Sequence, residues 1–258
     1  MQNVMIFAAI DTEYHGGKGS NVPGGFSDEQ VLNYFRAQVD NCLDLGYKKE
    51  DIIIGTNFDF EHNGVKNHHI KDICTWSGYN NFWFGTLELM KKGIINDDFW
   101  LHDHDSWQNT KFDFPNFEGE MAGCEYQDNH QWNCASIYCK KSSQYIFQYL
   151  VDLMNENREK DVSSDEEWIS FCRGKHYGFN QHLGLESPVE HLMSSLNPTY
   201  NCGFTNFKQR YENAEKPINV FSFKPDSERD CPRVISSVDE RLIKIFEKNN
   251  ILLEGANV

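Results

Sequence analysis

The sequence is short of positive charge. Lysine and arginine together number 24 against 39 aspartates and glutamates, for a formal net charge of -15. A chain this acidic has no broad basic footprint with which to release counterions from a nucleic-acid backbone or to settle on an anionic membrane. Nucleic acid is therefore not expected as a partner, and an anionic substrate would need a local device, of which a bound divalent cation is the commonest. Long apolar runs are missing as well. The stretch from Val4 to Ile10 is too short for a spanning helix or a secretory signal, and it lacks a basic flank. The expectation is a soluble cytoplasmic protein with no membrane span, in the host cytoplasm if it is viral. The eight cysteines include no CxxC pair and are too sparse for a disulfide scaffold, so reduced, packed thiols are expected. No internal repeat and no polar linker interrupts the 258 residues, and one globular unit is expected. A P-loop is lacking too: the glycines between Gly16 and Gly25 do not have the order of Gly-Lys-Ser/Thr opening a helix, and they read as a surface loop.

What is present alternates in period. Val4 to Ile10 is a continuous apolar run suited to a strand buried on both faces of a mostly parallel sheet. Ser27 to Gln30 has the form of a capping box, and Val31, Phe35, Val39 and Cys42 follow at helical spacing to about Leu45, with Gly46 as the stop. Asp51 to Ile54 is a second strand, Asn81 to Lys92 a helix closed by Gly93, and Phe99 to Leu101 a third buried strand that turns polar at His102. Further on, strands are expected at Met121 to Tyr126, Trp132 to Tyr138 and Ile218 to Phe223. Helices are expected from Ser143 to about Glu156, from Ser164, and from about Val238 to Lys248. Ligands collect at the carboxyl ends of strands in open α/β sheets, which draws attention to Asp11, Asn57, Asp103 and Asp105.

Asp103 and Asp105 stand on alternate residues just past a buried strand, so both can face one site if the chain stays extended, with His104 pointing away. Two carboxylates completed by substrate phosphates suit Mg²⁺, and Mn²⁺ tolerates the same set. Alone, such a triplet is also what a solvated acidic turn looks like. Two strand and helix units followed by an apolar strand running into Asp-x-Asp near residue 100, then a mixed half with an acidic helix start, resemble the GT-A class of glycosyltransferases, without pointing to one family within it.

The resemblance implies an α/β GT-A-like fold: a Rossmann-like nucleotide-sugar half over about residues 1–110 joined to an acceptor and catalytic half over about 111–258. It implies a hexosyl- or pentosyltransferase that uses Mn²⁺ or Mg²⁺ and a nucleoside-diphosphate sugar, UDP-linked as a first guess, with a carbohydrate or other hydroxyl acceptor and inversion at the sugar. By position, Asp105 resembles the direct metal ligand, and Asp103 the residue that meets the donor ribose or a metal-bound water. Asp11, Thr12, Glu13, Asn57 and Asp59 resemble the loops that hold base and ribose, with Tyr14 or Phe58 as a base platform. The catalytic carboxylate is sought at Asp165 or Glu166, since capping by Ser164 accounts for Glu167. One departure stands out. Many members add a histidine metal ligand late in the chain, but no histidine follows His191, so either water and phosphate complete the shell or His182 or His191 serves. Lys224 could instead contact the diphosphate. Trp107, Trp132 and Trp168 are candidate sugar walls, with core packing as the default. Two rivals remain: a metal-dependent hydrolase built on His102, Asp103, His104 and Asp105, although Ser106 and Trp107 break the usual zinc-hydrolase pattern, and a noncatalytic nucleotide- or sugar-binding module.

Overall fold

The computed structural model describes residues 1–9, 28–125, 132–158, 165–175 and 186–255. Its N-terminal apolar run forms β1 (Gln2–Phe7), buried along its whole length. Successive side chains of a strand point to opposite faces, and here both faces are claimed: Val4 and Ile6 enter one core, Met5 and Phe7 another. This double burial is why the segment reads as unbroken apolar residues. Next come α1 (Asp28–Asp44) and β2 (Ile52–Thr56), parallel to β1 with Met5 opposite Ile54. α1 closes at Gly46, whose φ of 84° lets the Tyr47 N–H reach back to the Cys42 carbonyl. A small hairpin of β3 (Glu61–His62) and β4 (Val65–Lys66) and an edge strand, β5 (His68–His69), lead to α2 (Asn81–Lys91) and β6 (Phe99–His102).

β6 lies parallel to β1 on the side away from β2. The chain has crossed from one flank of β1 to the other, with α1 in the core on one face of the sheet and α2 in the core on the opposite face. Such a reversal of strand order opens a crevice at the carboxyl ends of the strands on either side of it, here β1 and β6.

β7 (Ser106–Gln108) leaves the main sheet, and β8 (Met121–Glu125) and β9 (Trp132–Cys139) return to it, β9 running antiparallel to both β6 and β8. α3 (Gln144–Glu156) and α4 (Asp165–Cys172) cover the α2 face. With β10 (Met193–Ser195) the sheet has seven strands in the order β10-β8-β9-β6-β1-β2-β5. A second, three-stranded sheet sets β12 (Val220–Ser222) between β11 (Cys202–Gly203) and β7. α5 (Phe207–Asn213), α6 (Cys231–Val234) and α7 (Glu240–Lys248) complete the described chain, and Leu242, Ile245 and Phe246 of α7 share a core with α1.

The longer elements fall where the sequence places them, and the differences at their ends have local causes. The last helix starts at Glu240 rather than Val238 because the Asp239 carboxylate caps it, accepting from the Arg241 N–H at 2.8 Å. Gln30 is engaged at long range, donating to Asp226 at 2.8 Å, while its expected capping partner Ser27 lies outside the described residues. So does the glycine-rich loop. All eight cysteines are free and buried. Burial pushes the Cys42 and Cys124 thiols up to about 12, so they carry almost no thiolate at neutral pH. Among the described residues no helix is long and apolar enough to cross a membrane.

Two glycines let helix and sheet meet closely around Ile6. A Cβ on Gly85 of α2 would stand 2.5 Å from Ile6 Cγ2, and one on Gly55 of β2 would stand 2.6 Å from Ile6 Cδ1. Gly85→Ala gains about 1 kcal/mol in helix propensity but overpacks a site where the clashing atom is a β-branched methyl held in a strand, at a cost of about 1–3 kcal/mol. The expected net result is destabilisation, read as a lower urea midpoint at unchanged m-value. A thiol-reactive chromophore should titrate few of the eight cysteines in native protein within minutes, and all of them in guanidinium.

Candidate active site

β6 ends at His102, and the chain then turns at once. The Ser106 N–H donates to the Asp103 carbonyl at 3.1 Å, so Asp103 and Asp105 sit in a β-turn and not in the extended continuation that their spacing suggested. Each anchor of this turn comes from a different element. The Asp103 N–H donates to Ala135 O of β9, and Phe223 N–H, just past β12, donates to Asp105 O, both at 3.0 Å. The Gln38 amide of α1 donates to the carbonyls of His104 and Ser106, both at 2.8 Å. Two carboxylates on a turn held this way are pre-positioned, with little left to order when a ligand arrives.

The flanking histidines support the turn. His102 is fully buried and stacks on Trp100 with ring centres 3.7 Å apart. Burial pulls its pKa down to about 3, so it is neutral and has one proton to give. Nδ1–H donates to the Asp103 carbonyl at 2.8 Å, and Nε2 lies 2.8 Å from the side-chain amide of Asn3. A neutral ring that donates through Nδ1 must accept at Nε2, which the Asn3 amide satisfies once its nitrogen faces the ring. His104 is packed edge-on against Phe7 and Tyr34, ring centres 5.6 and 5.5 Å away. Burial lowers its pKa, opposed by Asp105. The histidines on which the hydrolase reading of residues 102–105 depends are taken up in these packing and hydrogen-bonding roles.

The turn faces a cleft of about 460 Å³. One wall is the carboxyl end of β1, Ile6 to Ala8, with Tyr79 and Asn81 at the start of α2. Asp103, Asp105 and Asn133 line the cleft beside it, and Glu166 approaches from α4. The facing wall comes from the small sheet: Phe204 follows β11, Phe223 and Lys224 follow β12, and Arg229 and Asp230 precede α6. Ser222 is tied in behind, its hydroxyl shared with Ser106 at 2.8 Å and donating to Asn201 at 2.7 Å.

The structure thus brings Asp103, Asp105, Glu166 and Lys224 to one cleft. Asp11, Thr12, Glu13 and Tyr14 lie outside the described residues, as do His182 and the Asp165 side chain. Asn57 is occupied in fastening the end of β1: its amide donates to Ala9 O at 2.6 Å and accepts from Ala9 N–H at 2.9 Å. Asp59 is almost fully exposed, 2.8 Å from His69, and does not line the cleft. Phe58 packs edge-on against Phe7. His191 lies exposed in the short turn of helix before β10, away from the lining residues. Trp107, Trp132 and Trp168 are core residues, at most 1% exposed, and form no sugar wall.

No protein-family model and no curated protein matches the sequence. Solved structures do match in shape. An active-site mutant of LgtC aligns with a TM-score of 0.54 at 12% identity, over 95% of each chain. The glycosyltransferase GlyE of Streptococcus pneumoniae aligns at 0.52 and 11% identity over all of this chain and 67% of its own, and the bifunctional glycosyltransferase WbbM at 0.55 and 9%, over 96% of this chain and 49% of its own. The chain has the GT-A fold.

Within the GT-A fold, the carboxylate turn and Lys224 stood out in the sequence because they follow apolar strands. Tyr79, Phe204, Arg229 and Asp230 did not, since they sit in irregular segments with no periodicity, and Asn133, inside β9, carries no mark that sets it apart from its neighbours in the strand. The support given by His102 is open to test. His102→Leu leaves the Asp103 carbonyl with the Ser106 N–H alone and the Asn3 amide buried without its ring partner, at a cost of roughly 1–3 kcal/mol. Urea unfolding should show that loss, and the double variant with Asn3→Leu should recover part of it.

Proposed function

We propose that the protein is a divalent-metal-dependent glycosyltransferase that moves a sugar from a nucleoside-diphosphate donor, UDP-linked, to a hydroxyl acceptor with inversion at the anomeric carbon. The observation that carries this reading is the pair Asp103 and Asp105 on a pinned turn, facing a cleft at the strand-order reversal of a GT-A fold. Residues 1–110 form the donor half and 111–258 the acceptor half.

The donor set fits a hard divalent cation. Two partly exposed carboxylates and no third protein ligand among the described residues make an open shell of the kind Mg²⁺ or Mn²⁺ fills with water and phosphate oxygens. Asp105 holds the ion, and Asp103 holds the ribose or an ion-bound water. When bound, the ion supplies charge neutralisation for the departing diphosphate. Lys224, on the facing wall, is placed to add a point charge on the same phosphates. A protein of net charge -15 must concentrate its positive charge in this way to hold an anion at all.

Glu166 lines the cleft from α4, and it takes the proton of the acceptor hydroxyl as that oxygen attacks. The buried turn keeps the acids fixed as charge develops, so little reorganisation is needed in the transition state.

Calorimetric titration with a panel of nucleoside diphosphates, with and without Mn²⁺, tests the reading. UDP should bind only with the metal; if no diphosphate shows metal-dependent binding, the transferase assignment is wrong. Asp105→Ala should abolish that binding without lowering the melting temperature, whereas Glu166→Gln should leave it intact and slow transfer by about 10²–10⁴. The anomeric configuration of the product, followed by proton NMR, decides between inversion and retention.

A further inference from the structure

Asp230 takes no part in the proposed metal site or proton transfer, and it is the least satisfied charged group in the cleft wall. Its side chain is fully buried. Oδ1 accepts from Arg229 Nε at 2.7 Å. Oδ2 is buried with no hydrogen-bond partner, although the residue lines the cleft. A buried carboxylate oxygen left without a donor requires an explanation, and a ligand that brings one is the simplest when the group borders a cavity.

A cation could meet this oxygen, as could a neutral N–H or O–H donor. Arg229 already places a full positive charge on this carboxylate, which disfavours a second cation there. A neutral donor remains. Arg229 engages Asp230 through Nε, so its two Nη groups are directed elsewhere, and its side chain is largely exposed. Donor and acceptor therefore stand side by side on the wall. One hydroxyl can give its proton to Asp230 Oδ2 while its neighbour accepts from an Arg229 Nη, a match for two adjacent hydroxyls on one ring. Beneath the guanidinium, 4.6 Å away, is the ring of Phe204, which helps to hold the guanidinium in place.

We propose that Arg229 and Asp230 form a carbohydrate subsite that grips a vicinal diol of the acceptor. Assigning the diol to the acceptor rests on the transferase reading, in which Asp103, Asp105 and Lys224 hold the donor. It also follows from the shape of the surface. Phe204 is shared with a shallow groove of about 500 Å³ that runs on past Asn206, Phe207 and Arg233 to open solvent, with room for further units of a longer acceptor.

Saturation-transfer NMR with the methyl glycosides of glucose, galactose, mannose and xylose tests the subsite, run on the full chain both nucleotide-free and with UDP and Mn²⁺. At least one glycoside should bind the wild type. Asp230→Asn and Arg229→Ala should each weaken it roughly 10- to 100-fold, as loss of a hydrogen bond to a charged group does, and a deoxy analogue lacking one of the two hydroxyls should bind wild type as weakly. UDP affinity should be unchanged in both variants. The proposal is overturned if no glycoside binds, if both variants bind it as the wild type does, or if UDP affinity falls by the same factor. Arg229 is exposed, so Arg229→Ala carries the test if Asp230→Asn fails to fold. Failure of UDP to bind the wild type would count against the transferase reading alone, because the glycoside measurement in nucleotide-free protein judges the subsite separately.

Discussion

The peptide groups of residues 103–106 are the constraint around which the molecule is organised. A reverse turn at the end of a central strand is ordinarily the place where a backbone meets water. Here its donors and acceptors are spent on β9, on the segment after β12, on Gln38 of α1 and on the His102 ring. Those partners come from both halves of the chain, so the turn doubles as the joint between the seven-stranded sheet and the three-stranded one. Any displacement of α1, β9 or β12 is felt at the two carboxylates, and the reverse holds as well.

Much of the first hundred residues was legible because burial on two faces leaves a strong mark in sequence. Val4 to Phe7, Ile52 to Ile54 and Phe99 to Leu101 cannot be apolar throughout and exposed, and α2 between them is buried at every position from Asn81 to Met90. The position of Asp103 and Asp105 at a strand end followed directly. What the spacing could not show was the turn, since alternate residues point the same way both in an extended chain and in some turns. It also could not show that His102 and His104 are structural. A histidine beside an aspartate looks the same in sequence whether it meets a metal or a backbone carbonyl, and the choice is made by Asn3 and Tyr34 from far along the chain, with Trp100 two residues before His102.

The facing wall was illegible for another reason. β11 has two residues and α6 four, too few for a period to register, so that of the three only β12 was expected. Phe204, Arg229 and Asp230 gather because these short pieces are fastened by side chains: Asn201 to Ser222, Thr199 to the Pro217 carbonyl, and Tyr34 and Gln30 to Asp226. Tertiary hydrogen bonds do there what periodic burial does in the larger sheet. The same wall carries Lys224 and Arg229.

Ile6 is held from two sides by positions that have no side chain, Gly55 in the neighbouring strand and Gly85 in the helix above, while it also contributes to the cleft. Volume at these three positions is therefore a shared quantity. A methyl added at 55 or 85 has to be removed at 6, and removing it at 6 enlarges the cleft. Among descendants of this sequence the three positions are free to change only together, and a change in their partition of volume would register first as a change in which ligand fits.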